Sequence, residues 1–294
     1  MKDDDVSIVI LNYNDYETTM AIIELINNYK DLNHIIIVDN NSSDDSYNKL
    51  KKYQSNKIDV IKNERNGGYA QGNNFGVKYA LKKYNSNYII ISNPDVIFEN
   101  KIIKKMINEF EKDEKLGIVS PKVAPPSYIT FYKYNYFECL CSMFLILSKI
   151  KRKIAKRKYG VTNFFPGSFF MIDSNLFKDV DFFDENTFLY CEEIILNKKI
   201  RKLGKYPKIF EDFSFIHNHS VTVKKEYKSL LKPYKIYIKS LEYYMNEYLK
   251  INFIEKIIFK IISRFSYIER YLADKIKNYL KRKEYKKILW NERK

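Results

Sequence analysis

The chain has 294 residues, of which 45% are hydrophobic, and its formal net charge is +16. This length and hydrophobic content supply a sizeable buried core, which excludes a disordered chain. The charge is uneven, because residues 224–294 carry 20 Lys and Arg against 8 Asp and Glu, a net +12, and leave only +4 for the rest. Such a basic region could bind nucleic acid, anionic lipid headgroups or an acidic substrate, or it could be a solvated helical face.

Strand and helix patterns alternate through the first 120 residues. Short runs rich in β-branched residues predict buried strands at residues 6–11, 34–39, 58–62 and 88–92. Polar turns separate them from predicted helices at residues 16–29, 45–53, 72–84 and 101–111. This order predicts an α/β fold, a mostly parallel sheet with helices on both faces.

The pattern changes after residue 120. Residues 124–163 have the pattern of an insertion that forms an amphipathic, basic helix. A helix is predicted over residues 192–203, closed by Gly204, and the pattern is helical throughout from residue 224. We therefore predict a domain at residues 1–223, which includes the insertion, and a basic helical extension at residues 224–294.

Polar or glycine-rich segments follow all four predicted strands, at residues 12–14, 39–43, 63–74 and 93–95. Ligands of parallel sheets bind beyond the carboxyl ends of the strands, so we expect these segments to form one site. Asp95 offers the hard oxygen ligands that suit Mg²⁺ or Mn²⁺. Such a cation would neutralise the charge of a bound diphosphate. Residues 67–72 include three glycines, which let the backbone approach a ligand next to a helix start that offers free N–H groups to an anion.

Seven motifs, in this order and spacing, resemble the family 2 glycosyltransferases of the GT-A type, particularly their bacterial rhamnosyltransferase-like branch. Together they cover most of residues 5–221. They read VSIVILNYN (6–14), IIIVDNNSSD (35–44), NERNGGYAQGNN (63–74), SNPDV (92–96), PGSFFMI (166–172), FFDENTFLYCEE (182–193) and FIHNHS (215–220). The resemblance implies the Rossmann-like GT-A fold and an inverting transfer of a sugar.

The resemblance also implies a nucleotide-sugar site. Asp39 matches the aspartate that recognises the nucleotide base, and Asn12 and Asn14 match residues of the same pocket. The segment that starts at Asn66 matches the part of the family beside the donor ribose and sugar. The expected donor contacts are Asn12, Asn14, Asp39, Asn66, Gly67, Gly68, Asn73 and Asn93.

A bound Mg²⁺ or Mn²⁺ is a further implication of the resemblance. Asp95 matches the metal-binding aspartate of the DxD-type motif, with Asn93 in place of the first aspartate. His217 matches a C-terminal histidine that often completes the contact with the metal or the diphosphate. His219 is left open between a functional role and a surface role.

An inverting transfer needs one carboxylate, which takes the proton of the acceptor hydroxyl as that oxygen attacks the anomeric carbon. The resemblance assigns this base to Glu192-Glu193, where the family usually has Glu-Asp. We favour Glu193, which takes the place of the aspartate, with Glu192 as the alternative. Ile195 stands where the family has a second acidic residue, so a homologue that binds sugar nucleotides without catalysis stays open.

Two segments with apolar and cationic residues favour a peripheral membrane protein. Residues 139–158 run from apolar to cationic. Residues 253–268 repeat apolar side chains at helical spacing, with Lys256, Lys260 and Arg264 on another side. These features are typical of interfacial helices that meet anionic lipid, and packing on the catalytic domain is the alternative.

Other features of the sequence predict where the protein acts. The longest apolar run, residues 139–147, is about half of a membrane span, and the acidic start at residues 1–5 is unlike a signal peptide. Cys139, Cys141 and Cys191 have no disulfide or metal-site spacing and fit a reducing compartment. We therefore expect a cytoplasmic protein, peripheral at the inner face of the cell membrane.

The resemblance implies a bacterial enzyme of capsule, O-antigen or other surface-polysaccharide synthesis. Its expected donor is dTDP-rhamnose or a UDP-hexose, and its expected acceptor is a lipid-linked saccharide or a polysaccharide. A nucleic-acid-binding protein is disfavoured, because the charge lies outside the loops that converge on the predicted site. A nucleotidyltransferase, which would release pyrophosphate, is a further alternative.

Overall fold

The computed structural model describes residues 5–124, 134–154, 160–161, 165–218 and 229–291. The strands are β1 (Val6–Asn12), β2 (His34–Asp39), β3 (Ile58–Lys62), β4 (Tyr88–Ser92), β5 (Val96–Ile97), β6 (Leu116–Ala124), β7 (Gly160–Val161), β8 (Phe169–Asp173) and β9 (Tyr206–His217). The helices are α1 (Tyr16–Ile26), α2 (Ser46–Lys51), α3 (Gly68–Tyr84), α4 (Lys101–Lys112), α5 (Tyr136–Ser142), α6 (Leu145–Ile154), α7 (Ser174–Asp179), α8 (Glu192–Lys202), α9 (Leu231–Tyr244) and α10 (Phe253–Asn291). A π-helical turn, Met245–Leu249, continues α9.

The strands in this part of the chain form one sheet in the order β3-β2-β1-β4-β8-β6-β9-β5, and β7 pairs with β9. Strands β1 to β4 are parallel, which follows from the right-handed crossovers through α1, α2 and α3. β8 is antiparallel to both β4 and β6. The predicted α/β class is confirmed, but the sheet is mixed rather than mostly parallel, because β8 enters after the insertion instead of after a crossover helix.

Helices cover both faces of the sheet, as predicted. On one face, Ile22 of α1 and Met106 of α4 pack on apolar side chains of β1, β2 and β4. On the other face, Val77 of α3 and Leu196 of α8 pack on the alternate residues of the same strands. The strands are therefore buried on both sides, which explains their continuous apolar runs.

The C-terminal helices pack on the start of α8, which carries Glu192 and Glu193. Cys139 of α5, Ile195 of α8, Tyr244 of α9 and Phe259 of α10 form one buried cluster. The helical pattern predicted from residue 224 is seen over residues 231–291, and the predicted insertion contains two helices, α5 and α6. Residues 155–159, part of the predicted amphipathic helix, lie outside the described residues. Within the described ranges, no helix has both the length and the hydropathy to cross a membrane.

The start of α3 differs from the prediction. The helix begins at Gly68, four residues before the predicted start at residue 72, so the glycine-rich turn is its first turn. Two hydrogen bonds fix this start: the Gly68 N–H donates to Asn66 Oδ1 over 3.0 Å, and the Tyr69 N–H donates to the Phe188 carbonyl over 2.8 Å. The second bond comes from a segment more than 100 residues away, which local propensity does not reveal.

Strand register brings the predicted loops to one edge. Asn12 at the end of β1 pairs with Asp39 at the end of β2, and Asp39 pairs with Lys62 at the end of β3. Ser92 at the end of β4 pairs with Ile10. The carboxyl ends of β1, β2 and β3 are thus level, β4 ends opposite Ile10 of β1, and the segments after the four strands meet at one edge.

Candidate active site

Asp39 lies at the centre of a hydrogen-bonded network at the end of β2. It is fully buried, and its Oδ1 accepts from Asn12 Nδ2 over 2.9 Å and from Ser42 Oγ over 2.6 Å. Its Oδ2 accepts from the Ser42 N–H over 3.0 Å, and Thr19 Oγ1 donates to Asn12 Oδ1 over 2.9 Å and holds that amide in place. A carboxylate accepts about four hydrogen bonds, so one acceptor position of Asp39 is left for a ligand.

Asn14 has a different part in this network. Its φ is 51°, in the left-handed region, and its Oδ1 accepts from the Ser43 N–H over 2.8 Å while its Nδ2 donates to Ser43 Oγ over 3.1 Å. The side chain therefore holds the loop after β2 in place. In this structure it is engaged with that loop rather than directed at a ligand.

A chain of asparagine amides joins the ends of β2 and β3 to the start of α3. Asn63 Nδ2 donates to Asn40 Oδ1 over 2.9 Å, and Asn40 Nδ2 donates to Asn66 Oδ1 over 3.0 Å. Asn40 and Asn63 are not among the predicted donor contacts, although both lie in the quoted motifs. Networked amides of this kind fix a loop without charge, and they orient the N–H groups at the start of α3.

Gly68 sits where a side chain has no room. Its φ is +91°, and a Cβ added to it would lie 1.9 Å from the Phe188 carbonyl oxygen. The backbone of α3 therefore packs directly on the loop that leads to Glu192. Gly67 is the N-cap residue of the same helix.

We expect Gly68→Ala to lower the free energy of unfolding by about 3 kcal/mol or more, since it combines left-handed strain with a backbone clash. The matched control is Gly204→Ala, where φ is +74° but no atom lies within 4 Å of the added Cβ. That control should cost only about 1–2 kcal/mol. Urea unfolding of both variants measures the difference, and equal losses would contradict the assigned contact with Phe188.

Asn73 is buried inside α3. Its Nδ2 donates to the Tyr69 carbonyl over 2.9 Å, whereas its buried Oδ1 has no hydrogen-bond partner among the described residues. An unpaired buried amide oxygen is costly, so this atom is a position that a water or ligand hydroxyl would satisfy.

Asp95 and His217 meet because β5 pairs with β9. Val96 lies opposite His217, and the Asn218 N–H donates to the Asp95 carbonyl over 3.0 Å. His217 Nε2 lies 3.1 Å from Asp95 Oδ1 and 3.5 Å from Asn93 Nδ2, and the side chains of His217 and Asp95 are both buried. His219 and Ser220 lie outside the described residues.

The 3.1 Å contact of this pair is that of a His–Asp hydrogen bond, and two ligands of one metal ion would be similarly spaced. Two ligands on one octahedral ion, each bonded at about 2.1 Å, lie about 3.0 Å apart. In the described part of the chain no cluster of three or more His, Cys, Asp or Glu could hold a metal. Mg²⁺ and Mn²⁺ usually keep several waters and bind substrate phosphates, so two protein ligands fit them.

Glu192 and Glu193 begin α8 directly after two residues in the left-handed region, Tyr190 (φ 75°) and Cys191 (φ 73°). Glu192 is buried, and nothing in the described part of the chain hydrogen-bonds its Oε1. Burial, and then the charge of Glu193, raise the pKa of Glu192 well above that of an ordinary glutamate. Burial also raises the pKa of Glu193.

Glu193 is the more accessible of the two carboxylates, and it packs against Gly167. A Cβ added to Gly167 would lie 1.9 Å from Glu193 Oε1, so this glycine makes room for the carboxylate. Glu193 is half-buried, whereas Glu192 is only 3% exposed. A half-buried carboxylate with a raised pKa suits general base catalysis near neutral pH.

Tyr69, at the start of α3, contacts the segment that precedes β8. Its hydroxyl donates to the Gly167 carbonyl over 2.6 Å. Burial raises the pKa of Tyr69 well above its ordinary value, and the charges of Glu193, Glu192 and Asp95 raise it further. The three carboxylates are therefore near enough to one phenol for their charges to act on it. Neither Tyr69 nor Gly167 is among the site residues predicted from the sequence, although both lie in quoted motifs.

The loop before α8 is held from both sides. Asn74 exchanges two hydrogen bonds with the Phe183 backbone, at 2.9 and 3.0 Å. Asp184 Oδ2 accepts from the hydroxyls of Tyr243 and Tyr248 over 2.8 and 2.6 Å. The C-terminal helices thus help to position Glu193, and the apolar Ile195 fits their shared cluster where the resemblance implies an acid.

Residues 7–181, more than half of the chain, match the glycosyl transferase family 2. The chain belongs to this family. It is 26% identical over 193 residues to the low-salt glycan biosynthesis hexosyltransferase Agl10 of Haloferax volcanii, a match over 65% of this chain and 60% of that protein. It is 25% identical to the O-antigen chain rhamnosyltransferase WbaN of Salmonella anatum, over 66% of this chain and 59% of that protein. The chain thus matches about three fifths of the length of these relatives.

Solved structures share the fold. GalNAc-T7 with UDP, GalNAc and Mn²⁺ has a TM-score of 0.57 at 17% identity, over 72% of this chain and 43% of that one. The mannosyltransferase PcManGT of Pyrobaculum calidifontis with GDP-Man and Mn²⁺ has a TM-score of 0.53 at 14% identity, over 83% of this chain and 70% of that one. The sheet, its flanking helices and these likenesses identify the fold as GT-A-like.

Proposed function

We propose that this chain is an inverting glycosyltransferase that uses a nucleoside diphosphate sugar and a divalent cation. The observation that carries the proposal is that Glu193 and Asp95 both lie close enough to Tyr69 for their charges to raise its pKa, beside the loops that hold the Asp39 network. Membership of the family and the names of the relatives support a transferase. Neighbouring structures with bound nucleotides and Mn²⁺ support the class of ligand.

In the proposed mechanism each group has one task. The free acceptor position of Asp39 would take a hydrogen bond from the nucleotide base, and the glycine-rich start of α3 would lie beside the donor. Asp95 and His217 would hold Mg²⁺ or Mn²⁺, which would neutralise the charge of the departing nucleoside diphosphate. Glu193 takes the proton of the acceptor hydroxyl as that oxygen attacks the anomeric carbon from the face opposite the leaving group.

We further propose dTDP-rhamnose or a UDP-hexose as the donor, and a lipid-linked saccharide or polysaccharide of the bacterial surface as the acceptor. The support is the rhamnosyltransferase and hexosyltransferase names among the relatives. Residues 1–223 would act as the catalytic unit. Residues 224–294, the basic helical region, would bring it to its acceptor.

A membrane surface is the proposed location of this acceptor. On α10, Ile254, Ile261 and Ile268 recur every seven residues and are 48–67% exposed. Exposed apolar side chains of α6, Ile146 and Ile150 among them, are near this stripe, because Glu269 of α10 accepts from the backbone N–H groups at the start of α6. An apolar face of this length with a net basic helix fits an anionic membrane at the cytoplasmic side.

Transfer of a labelled sugar tests the function. The purified chain is incubated with Mn²⁺, bacterial membrane lipids and one labelled nucleotide sugar at a time, and label is counted in the organic extract. We expect one donor to label the lipid fraction, with loss of label in EDTA. No transfer from any dTDP-, UDP- or GDP-linked sugar, with a folded protein, would contradict the proposal.

The membrane surface makes a separate prediction. Phe265→Glu combined with Leu272→Glu should weaken binding to phosphatidylglycerol vesicles about 100-fold, because two apolar side chains lose their burial in lipid. Lys52→Glu, at the residue that follows α2, changes the charge by the same amount and should leave binding unchanged. Sedimentation with vesicles measures both. Equal binding of the double variant and the native chain would contradict the assigned surface.

A further inference from the structure

A groove lies between α9 and α10, beside the exposed stripe of α10. It has a volume of about 400 Å³, within the range of about 300–1,000 Å³ that ligand pockets occupy. Its lining is mainly apolar and aromatic, and it includes two exposed cations. The main lining residues are Tyr234, Ile238, Tyr267 and Ile268, with Lys235 and Arg264 as the cations.

The floor of the groove is held rigidly. Tyr234 is buried, its hydroxyl is hydrogen-bonded to Ser266 Oγ, and the guanidinium of Arg270 lies 4.2 Å from its ring centroid. Lys235 Nζ lies 5.7 Å from the ring centroid of Tyr267. A groove that is already formed loses little conformational entropy when it binds a ligand.

The charges of the groove are not neutralised. No acidic side chain lines it, and neither Lys235 nor Arg264 forms an ion pair in the described part of the chain. The nearby acids are engaged elsewhere: Glu269 accepts from the start of α6, and Asp274 accepts from the Leu230 N–H over 3.0 Å. An apolar channel with two free cations is complementary to an apolar chain that ends in an anion.

We propose that this groove binds the phosphate end and first isoprenyl units of a lipid phosphate, the carrier of the acceptor saccharide. The proposal rests on the function proposed above, since it assumes a lipid-linked acceptor. Ile268 belongs both to the exposed stripe of α10 and to the lining of the groove, so the groove opens beside the surface assigned to the membrane. On its other side α9 packs on the loop before Glu193, where Ser240 Oγ donates to the Leu189 carbonyl over 2.8 Å.

Farnesyl phosphate, added to the full chain in EDTA below its micelle concentration, is the probe. We expect saturable binding with one site by calorimetry, and much weaker binding of farnesol and of inorganic phosphate. Lys235→Glu and Arg264→Gln should each weaken the affinity for farnesyl phosphate about tenfold or more. Lys239→Glu, one turn further along α9 and outside the groove, should leave it unchanged.

Thermal unfolding of each variant shows that a loss of binding is not a loss of fold. Equal affinity for farnesol and farnesyl phosphate, or an unaltered affinity in Lys235→Glu, would overturn the proposal. The proposal would also be overturned if the chain bound no farnesyl phosphate and formed a dimer that Ile238→Glu dissociates. That result would assign the groove to a second copy of the chain. If nucleotide sugars bind normally while farnesyl phosphate does not, only this inference fails and the proposed transferase stands.

Discussion

Replacing Glu193 by Gln should lower the rate of sugar transfer by about 10²–10⁴-fold, the usual contribution of a general base. The amide cannot accept the proton of the acceptor hydroxyl, although it fits the space beside Gly167 that the carboxylate occupies. Donor affinity should change little, because the Asp39 network and the Asp95–His217 pair are untouched. Steady-state kinetics combined with donor titration separates these two effects.

Two further variants distinguish the roles of the paired carboxylates. Glu193→Asp keeps a base but withdraws it by one methylene, so we expect a smaller loss than with Gln. Glu192→Gln should retain most of the transfer rate, because its carboxylate is buried with a strongly raised pKa. A large loss in Glu192→Gln with a normal rate in Glu193→Gln would exchange the two assignments.

The pH profile gives an independent test of the same assignment. The base acts in its deprotonated form, and burial raises the pKa of Glu193. The value of kcat/KM should therefore fall as the pH is lowered through a pKa above that of an ordinary glutamate. In Glu193→Asp this acidic limb should persist, whereas in Glu193→Gln it should disappear from the residual rate.

Replacing Asp95 by Asn should remove most of the Mn²⁺-dependent binding of the nucleotide sugar. The carboxylate is the only anionic member of the Asn93, Asp95 and His217 set, and a hard cation depends on anionic oxygen. We expect donor affinity in Mn²⁺ to fall to the value that the native chain has in EDTA. Calorimetric titration of the donor in both conditions measures this change.

The control for Asp95 is Asp212→Asn, an exposed carboxylate on β9, the strand that carries His217. It removes the same charge and should leave the effect of Mn²⁺ intact. His217→Ala should weaken the effect of Mn²⁺ less than Asp95→Asn, since a neutral ligand is lost. If Mn²⁺ does not change the donor affinity of the native chain or of any variant, the assignment of Asp95 and His217 as metal ligands is contradicted.

The four parallel strands β1 to β4 were predictable because each is an apolar run, rich in β-branched residues, that is buried on both faces. Their order implied one loop-lined edge, and the level register of Asn12, Asp39 and Lys62 agrees with it. The antiparallel entry of β8 was not predictable from local pattern, because it depends on where the chain returns after the insertion. The predicted start of α3 was four residues too late for a similar reason. The helix begins at Gly68 because the Tyr69 N–H donates a hydrogen bond to the carbonyl of distant Phe188.

The candidate site also contains some residues that the sequence predicts and others that it does not. Asp95 could be proposed from its position after a strand, but nothing in the spacing brings His217 to within 3.1 Å of it. That contact needs the pairing of β5 with β9, and only the family resemblance anticipated it. Tyr69 could not be singled out, because its role depends on a carbonyl at Gly167 and on carboxylates from two distant segments, at Asp95 and at the start of α8.

The apolar helix after residue 252 had two interpretations in the sequence, and the structure contains features of both. Phe259 is 2% exposed and packs on the cluster beneath α8, as expected for a helix docked on the domain. Phe265 is 61% exposed on another face of the same helix. Hydrophobic periodicity reports an apolar stripe but not its partner, so sequence alone could not separate a packed face from an open one.

The most direct measurement of the central claim is the thermal stability of the native chain with a panel of nucleoside diphosphates and their sugars, with and without Mn²⁺. A ligand at a hundred times its dissociation constant adds about 2.7 kcal/mol to the free energy of unfolding, which is a readable shift in Tm. A metal-dependent nucleotide-sugar site predicts a shift with one nucleotide class that appears only with Mn²⁺. No shift with any nucleoside diphosphate, alongside salt-sensitive binding of DNA or RNA, would contradict it.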